Sequence, residues 1–282
     1  MKKMTTIEIL ENALAKYGIT TVFYFDRIKI YCDAHNHEAT LNILVNDNRK
    51  NKFNWSPLTH NAFYDRMIDL FQPSTKCFDN LIDQNIMSGD YAITYIEFAL
   101  DFMSDDKQTF TNLVSFLNRH LVHIPSKRSK DKPYYYGGFK EATYFSAGND
   151  KERFVLYTDK PARKSKIKYC LHIELRIEGW SLVKNKSIVT IDDLINFNHR
   201  QLWNNLLDFR RSIQTTLGEL CQNRKISRQA NYKRGIKECE NIKFLQKYLT
   251  EHFERESAFV KIKPENLDKF LDSIMSADVT IL

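Results

Sequence analysis

The sequence predicts an α+β fold: a largely antiparallel central sheet with helices on one face, followed by a helical C-terminal region. Runs of β-branched and aromatic residues with period-two alternation recur between residues 21 and 178. Amphipathic helical spacing interrupts them at residues 5–17 and 106–122. From residue 191 to residue 253 the apolar period turns helical. An order of α-β-(α)-β-α-β-β-β and then helices is that of an α+β protein.

The elements follow in turn. TTIEILENALAKY at 5–17 has apolar residues at helical spacing and a Thr/Glu capping signal. TVFYFDRIKIYC at 21–32 reads as a strand. Residues 33–60 are polar and Asn-rich, with room for a short strand at 39–45. HNAFYDRMIDLF at 60–71 has helical spacing, and YAITYIEFALDF at 91–102 reads as a strand. DKQTFTNLVSFLNRHLV at 106–122 is an amphipathic helix, followed by the basic loop SKRSKDKP. Residues 134–146 and 153–159 form two strands joined by AGNDKE, whose Gly, Asn and Asp are turn formers. Another strand covers 168–178. A length of 282 residues suits one large domain or two ordinary ones, with the boundary near 185–190.

Composition bounds the function. Hydrophobic residues make up 43% and charged residues 27%, as in an ordinary globular protein. A net charge of +7 favours polyanionic partners, nucleic acid before anionic membrane, although a solvated lysine-rich surface gives the same excess. The 5 cysteines have no CxxC spacing and form no even disulfide framework. MKKMTTIEIL lacks a long apolar stretch, and no run is long enough to span a membrane. A reducing cytoplasmic compartment is expected. No phosphate-binding loop, zinc-ligand spacing or dinucleotide-binding glycine motif occurs.

Alternation assigns the strand faces. Leu171, Ile173, Leu175 and Ile177 face one way, and His172, Glu174, Arg176 and Glu178 the other. Ile96, Phe98, Leu100 and Phe102 oppose Tyr95, Glu97, Ala99 and Asp101. Phe154 and Leu156 oppose Arg153, Val155 and Tyr157. The acids stand mid-strand, where propensity disfavours them. Glu97, Asp101, His172 and Glu174 can together make a divalent-metal site of carboxylate and imidazole ligands. For any one of them, a wet sheet face with cross-strand ion pairs is the simpler reading. Taken jointly, beside a tyrosine, they point to a site.

Four pieces in order, ITYIEFALDF, a helix, ATYFSAGNDKERFVLYTDK and YCLHIELRIEGWSL, resemble rolling-circle replication initiators. The pattern is similar to the filamentous-phage gene II type and to plasmid Rep nicking proteins. Both are grouped with the HUH (His-hydrophobic-His) endonucleases. The resemblance covers about residues 90–182. It implies a Rep-like nicking domain at 1–188 and a helical C-terminal region at 189–282. It places the nucleophile at Tyr157 and the lysine after it at Lys160, and it puts the metal-binding acids at Glu97 and Glu174, with Arg176 following. HUH itself is half met: the chain has His172-Ile173-Glu174 in place of two histidines.

That resemblance implies a metal-dependent DNA nicking and joining endonuclease, with Mg²⁺ or Mn²⁺ as cofactor. Tyrosine chemistry suits nicking without hydrolysis, because the phenol keeps the phosphate as a phosphotyrosine. A phenol with pKa near ~10 needs help from a cation such as Lys160 or a metal. The partner is origin DNA, single-stranded or supercoiled, with a host helicase or polymerase joining later. Tyr134, Tyr135 and Tyr136 suit packing or base stacking, and Gly137 and Gly138 let backbone approach closely.

Basic segments then contact phosphate. These are Arg163, Lys164, Lys166 and Lys168, then Lys127, Arg128 and Lys130, then Arg224, Lys225, Arg228, Lys233 and Arg234, with Arg176 of the strand contacting DNA as well. The other readings are a DNA- or RNA-binding protein that does not cleave, and a tyrosine recombinase. The recombinase has no need of the sheet-borne carboxylates.

Overall fold

The computed structural model describes residues 4–32, 52–54, 66–83, 91–123, 134–135, 144–148, 151–158, 167–212, 259–261 and 264–275. The chain forms two compact units interleaved in sequence. One comprises Thr20–Asp105 and Ala142–His199, the other Met1–Ile19, Asp106–Glu141 and Arg200–Leu282.

The first unit is built on a seven-stranded sheet in the order β2-β3-β1-β4-β9-β8-β7. Its strands are β1 (Thr20–Cys32), β2 (Lys52–Asn54), β3 (Arg66–Phe71), β4 (Tyr91–Ser104), β7 (Tyr144–Gly148), β8 (Glu152–Tyr157) and β9 (Tyr169–Glu178). Every described pairing is antiparallel. The β7–β8 hairpin and the long strands β1, β4 and β9 stand where the alternation places them. Residues 66–71 do not form the expected helix. They pair with β1 as β3, and Arg27 grips Asp69 with two hydrogen bonds of 2.8 and 2.6 Å. Apolar residues at 67, 68, 70 and 71 satisfy either period over so short a run, and the pairing decides.

Three short helices belong to this unit: α2 (Thr75–Asp83), α4 (Trp180–Lys184) and α5 (Ile191–Ile195). Phe78 of α2 and Phe197, just after α5, meet the sheet at Phe25 and Phe98, with ring centroids 5.0 to 6.3 Å apart. Gly179 ends β9 at φ 111°, a conformation open to glycine, and donates its N–H to Thr94 O at 2.7 Å.

The second unit holds α1 (Thr6–Ala15), α3 (Lys107–His120) and α7 (Pro264–Met275) beside a four-stranded sheet in the order β11-β10-β5-β6. Those strands are β5 (Leu121–His123), β6 (Tyr134–Tyr135), β10 (Leu207–Ser212) and β11 (Phe259–Lys261). The segment expected as one strand over 134–146 is thus divided. Tyr134–Tyr135 pairs with β5, and Tyr144–Gly148 pairs with β8. The expected C-terminal helical run begins with α5 and α6 (His199–Leu206), but residues 207–212 pair with β5 and β11 as a strand.

Helix α1 carries the predicted capping box. Thr5 Oγ1 accepts from Glu8 N–H at 3.3 Å, and Glu8 accepts from Thr5 N–H at 2.7 Å. Thr5→Ala is expected to cost about 1 kcal/mol, read as a lower urea midpoint at unchanged slope. Among the described residues no helix is long and apolar enough to cross a membrane.

Candidate metal centre

Three neighbouring strands bring the site together. Across β4 and β9, Asp101 lies opposite His172, Ala99 opposite Glu174 and Glu97 opposite Arg176. Across β8 and β9, Tyr157 lies opposite His172. Directly opposed residues share a face, so the predicted cluster does gather on one side of the sheet. That side is not wet. Asp101, His172, Glu174 and Glu97 are all buried, Glu174 completely. Charges taken out of water at this density need compensation by partners or a cation.

Strand β1 adds a residue that the alternation argument passed over. The register shifts between Phe25 and Arg27, leaving Asp26 as the extra residue of a β-bulge. Asp26 is buried, and its Oδ1 accepts from Gln72 Nε2 at 2.8 Å. Gln72 N–H donates to Asp26 O at 2.9 Å while holding φ at 48°. An acid mid-strand was the available signal, the same one that marked Glu97 and Asp101.

Asp26, His172 and Glu174 each present a ligand atom within 4.8 Å of the other two. His172 Nδ1 meets Asp101 Oδ1 at 2.5 Å, while Nε2 stands 3.6 Å from Glu174 Oε1. Nε2 and Oε1 are both buried without a hydrogen-bond partner. Two orphaned ligand atoms turned toward each other, with a second carboxylate, Asp26, in reach, fit a divalent cation. One imidazole nitrogen and two carboxylates are ligand types that divalent cations take.

The remaining groups set the charge. Arg176 binds Glu174 Oε2 through Nη2 at 2.6 Å and Nε at 3.0 Å, and its Nε lies 3.6 Å from Glu97 Oε1. The guanidinium proposed for DNA is therefore engaged with the site's own carboxylates. Glu97 accepts a very short hydrogen bond from Tyr95 OH. Burial and the Glu174 charge push the Glu97 carboxyl up to about 7. Burial opposes ionisation of Glu174 too, but His172 and Arg176 outweigh it and hold that carboxyl down at about 2. Burial alone lowers His172, and the hydrogen bond to Asp101 with the charge of both carboxylates raises it to about 9.

Tyr157 is buried, its ring packed on His172 with centroids 4.5 Å apart and planes at 34°. Thr158, next along the chain, is partly exposed. Lys168 is exposed, its ammonium 5.3 Å from the centre of the Tyr169 ring. Lys160, Arg163, Lys164, Lys166, Lys127, Arg128, Lys130, Arg224, Lys225, Arg228, Lys233 and Arg234 lie outside the described residues, as does Tyr136.

No protein-family model matches the chain, and no curated protein matches its sequence. Among solved structures, the rolling circle replication initiator protein from Geobacillus stearothermophilus is similar, with 10% identity over 91% of this chain and 97% of that one, at a TM-score of 0.35. A likeness that distant carries no argument about the site.

Proposed function

We propose that the chain is a rolling-circle replication initiator that nicks one DNA strand at an origin and later rejoins it. The observation that carries the proposal is the buried convergence of Asp26, His172 and Glu174, two of them with unpaired ligand atoms, against the ring of Tyr157. The initiator-like motifs point independently to His172, Glu174 and Tyr157, while Asp26 comes from the structure alone.

In this reading Asp26, His172 and Glu174 hold Mg²⁺ or Mn²⁺. The ion, when bound, withdraws charge from the scissile phosphate. Tyr157 Oη attacks the phosphorus, the P–O3′ bond breaks, and the phenol proton leaves as the 3′ oxygen gains one. A 5′-phosphotyrosine and a free 3′-OH result, and reversal of the same steps rejoins the strand. Arg176 keeps Glu174 ionised and in place. The phosphate enters at the C-terminal end of β8, where Thr158 is partly exposed. Lys160 and Lys168, with the basic residues of the 127–130, 163–166 and 224–234 segments, contact the DNA backbone. Residues 1–188 act as the nicking domain and 189–282 as an accessory region in a bacterial cytoplasm.

Burial of Tyr157 favours one alternative, a nucleic-acid-binding protein on the same fold that does not cleave. An adduct assay separates the two. Origin DNA, single-stranded or supercoiled, is incubated with protein and Mn²⁺ and run on a denaturing gel. A covalent protein–5′-DNA adduct is expected, absent with EDTA and absent in Tyr157→Phe. DNA retarded without any adduct would leave the binding protein and remove Tyr157 as nucleophile.

A further inference from the structure

We propose that Asp101 and Tyr24 are positioning residues of this centre, fixing the His172 ring so that Nε2 alone faces the metal. The inference rests on the metal reading above. Asp101 sits opposite His172 on β4, and its two oxygens are both engaged. Oδ1 meets His172 Nδ1 at 2.5 Å, and Oδ2 accepts from Tyr24 OH at 3.0 Å. All three side chains are buried and come from different strands of the sheet.

The chemistry follows from donor and acceptor roles. An ionised carboxylate only accepts, so Nδ1 must carry the proton that Asp101 receives. A neutral imidazole with its proton on Nδ1 has its lone pair on Nε2. Nε2 is the atom left unpartnered, turned toward Glu174 Oε1 at 3.6 Å. The Tyr157 ring packed on the imidazole limits its tilt. Tyr24 holds Asp101 in turn, so the relay Tyr24–Asp101–His172 sets both the tautomer and the direction of the ligand atom. Such outer partners of a ligating histidine typically contribute about 10- to 100-fold in metal affinity.

This reading differs from one in which Asp101 binds the ion itself, and Tyr24 tells them apart. Tyr24→Phe removes one hydrogen bond and frees Asp101 Oδ2 while keeping the ring. If Asp101 only positions His172, Mn²⁺ affinity falls several-fold in Tyr24→Phe. If Asp101 is a ligand, the freed oxygen leaves affinity unchanged or tighter.

The experiment is an electron paramagnetic resonance titration of Mn²⁺ into wild type, Tyr24→Phe, Asp101→Asn and the double variant, with melting curves confirming folded protein. The expected result is one Mn²⁺ on wild type and weakening of about 10- to 100-fold in Asp101→Asn. Tyr24→Phe should weaken binding less, and the double variant should be no weaker than Asp101→Asn alone. Unchanged or tighter binding in Tyr24→Phe would overturn the inference with the metal centre intact, and that arm stands even if Asp101→Asn does not fold. Wild type that binds no Mn²⁺ would overturn the metal reading and this inference with it.

Discussion

Glu174→Gln is expected to remove Mn²⁺ binding and adduct formation together. The substitution keeps the side chain's shape and deletes the charge of a completely buried carboxylate. Glu174 is the hub of the centre. Oε1 faces His172 Nε2, and Oε2 takes both hydrogen bonds from Arg176. An amide there offers the cation a weaker ligand and turns an N–H₂ donor toward either the ion or the guanidinium. Loss of metal-borne charge stabilisation is worth about 4 kcal/mol, roughly a thousandfold in rate. Single-turnover adduct yield and Mn²⁺ titration on the same preparation read the two effects, with circular dichroism as the control for folding. A folded Glu174→Gln protein that nicks like wild type would dismiss the centre.

The second large effect is the pH dependence of metal-free protein. His172 is raised to about 9 by Asp101 and Glu174 against the opposing pull of burial. The folded protein therefore binds a proton more tightly than the unfolded chain does. Its contribution to stability is complete below about pH 6.5 and is lost as pH rises through about 9, on the order of 3 kcal/mol. Glu97, raised to about 7, works in the same direction between about pH 4.5 and 7. Urea denaturation in EDTA is expected to show stability falling steadily from pH 5 to pH 9. Metal and proton compete for Nε2, so Mn²⁺ affinity should rise with pH by up to about tenfold per unit over the same range. Flat stability across that interval would mean that His172 is neutral in the free protein.

Much of this was legible along the chain. Within each strand, period-two alternation sets His172, Glu174 and Arg176, then Glu97 and Asp101, then Tyr157, apart from the apolar residues beside them, because side-chain direction in a strand is a local property; the register brings the three sets together. Whether that face meets water is not local. Burial of Glu174 and Asp101 depends on chain far away in sequence, and so for any single residue the wet sheet face stays the simpler reading. Asp26 escaped because a bulge breaks the alternation between Phe25 and Arg27. Strict alternation also sets Arg27 beside Phe25, whereas the register puts it opposite Glu97. Strands β3 and β10 fall in segments that read as helix for a related reason: RMIDLF and LDFRRS are too short for either period to decide, and the partner strand does. For β10 one partner is Phe259–Lys261, far along the chain.

The interleaving of the two units also governs how the protein is made. Helix α1 leaves the ribosome well before the partners that cover it. Glu11 waits for Arg200, and Lys16 and Tyr17 wait for Asp268 and Asp272. Ile7, Leu10 and Leu14, buried in the finished fold, stay exposed until those partners emerge. The central strand β4 can pair with β1 early but must wait for β9 before the site face closes. Long waits between contacts of this kind slow folding and expose apolar surface to other chains. Slower synthesis at low temperature, with chaperones in excess, is therefore expected to raise the yield of folded protein, read as the soluble fraction.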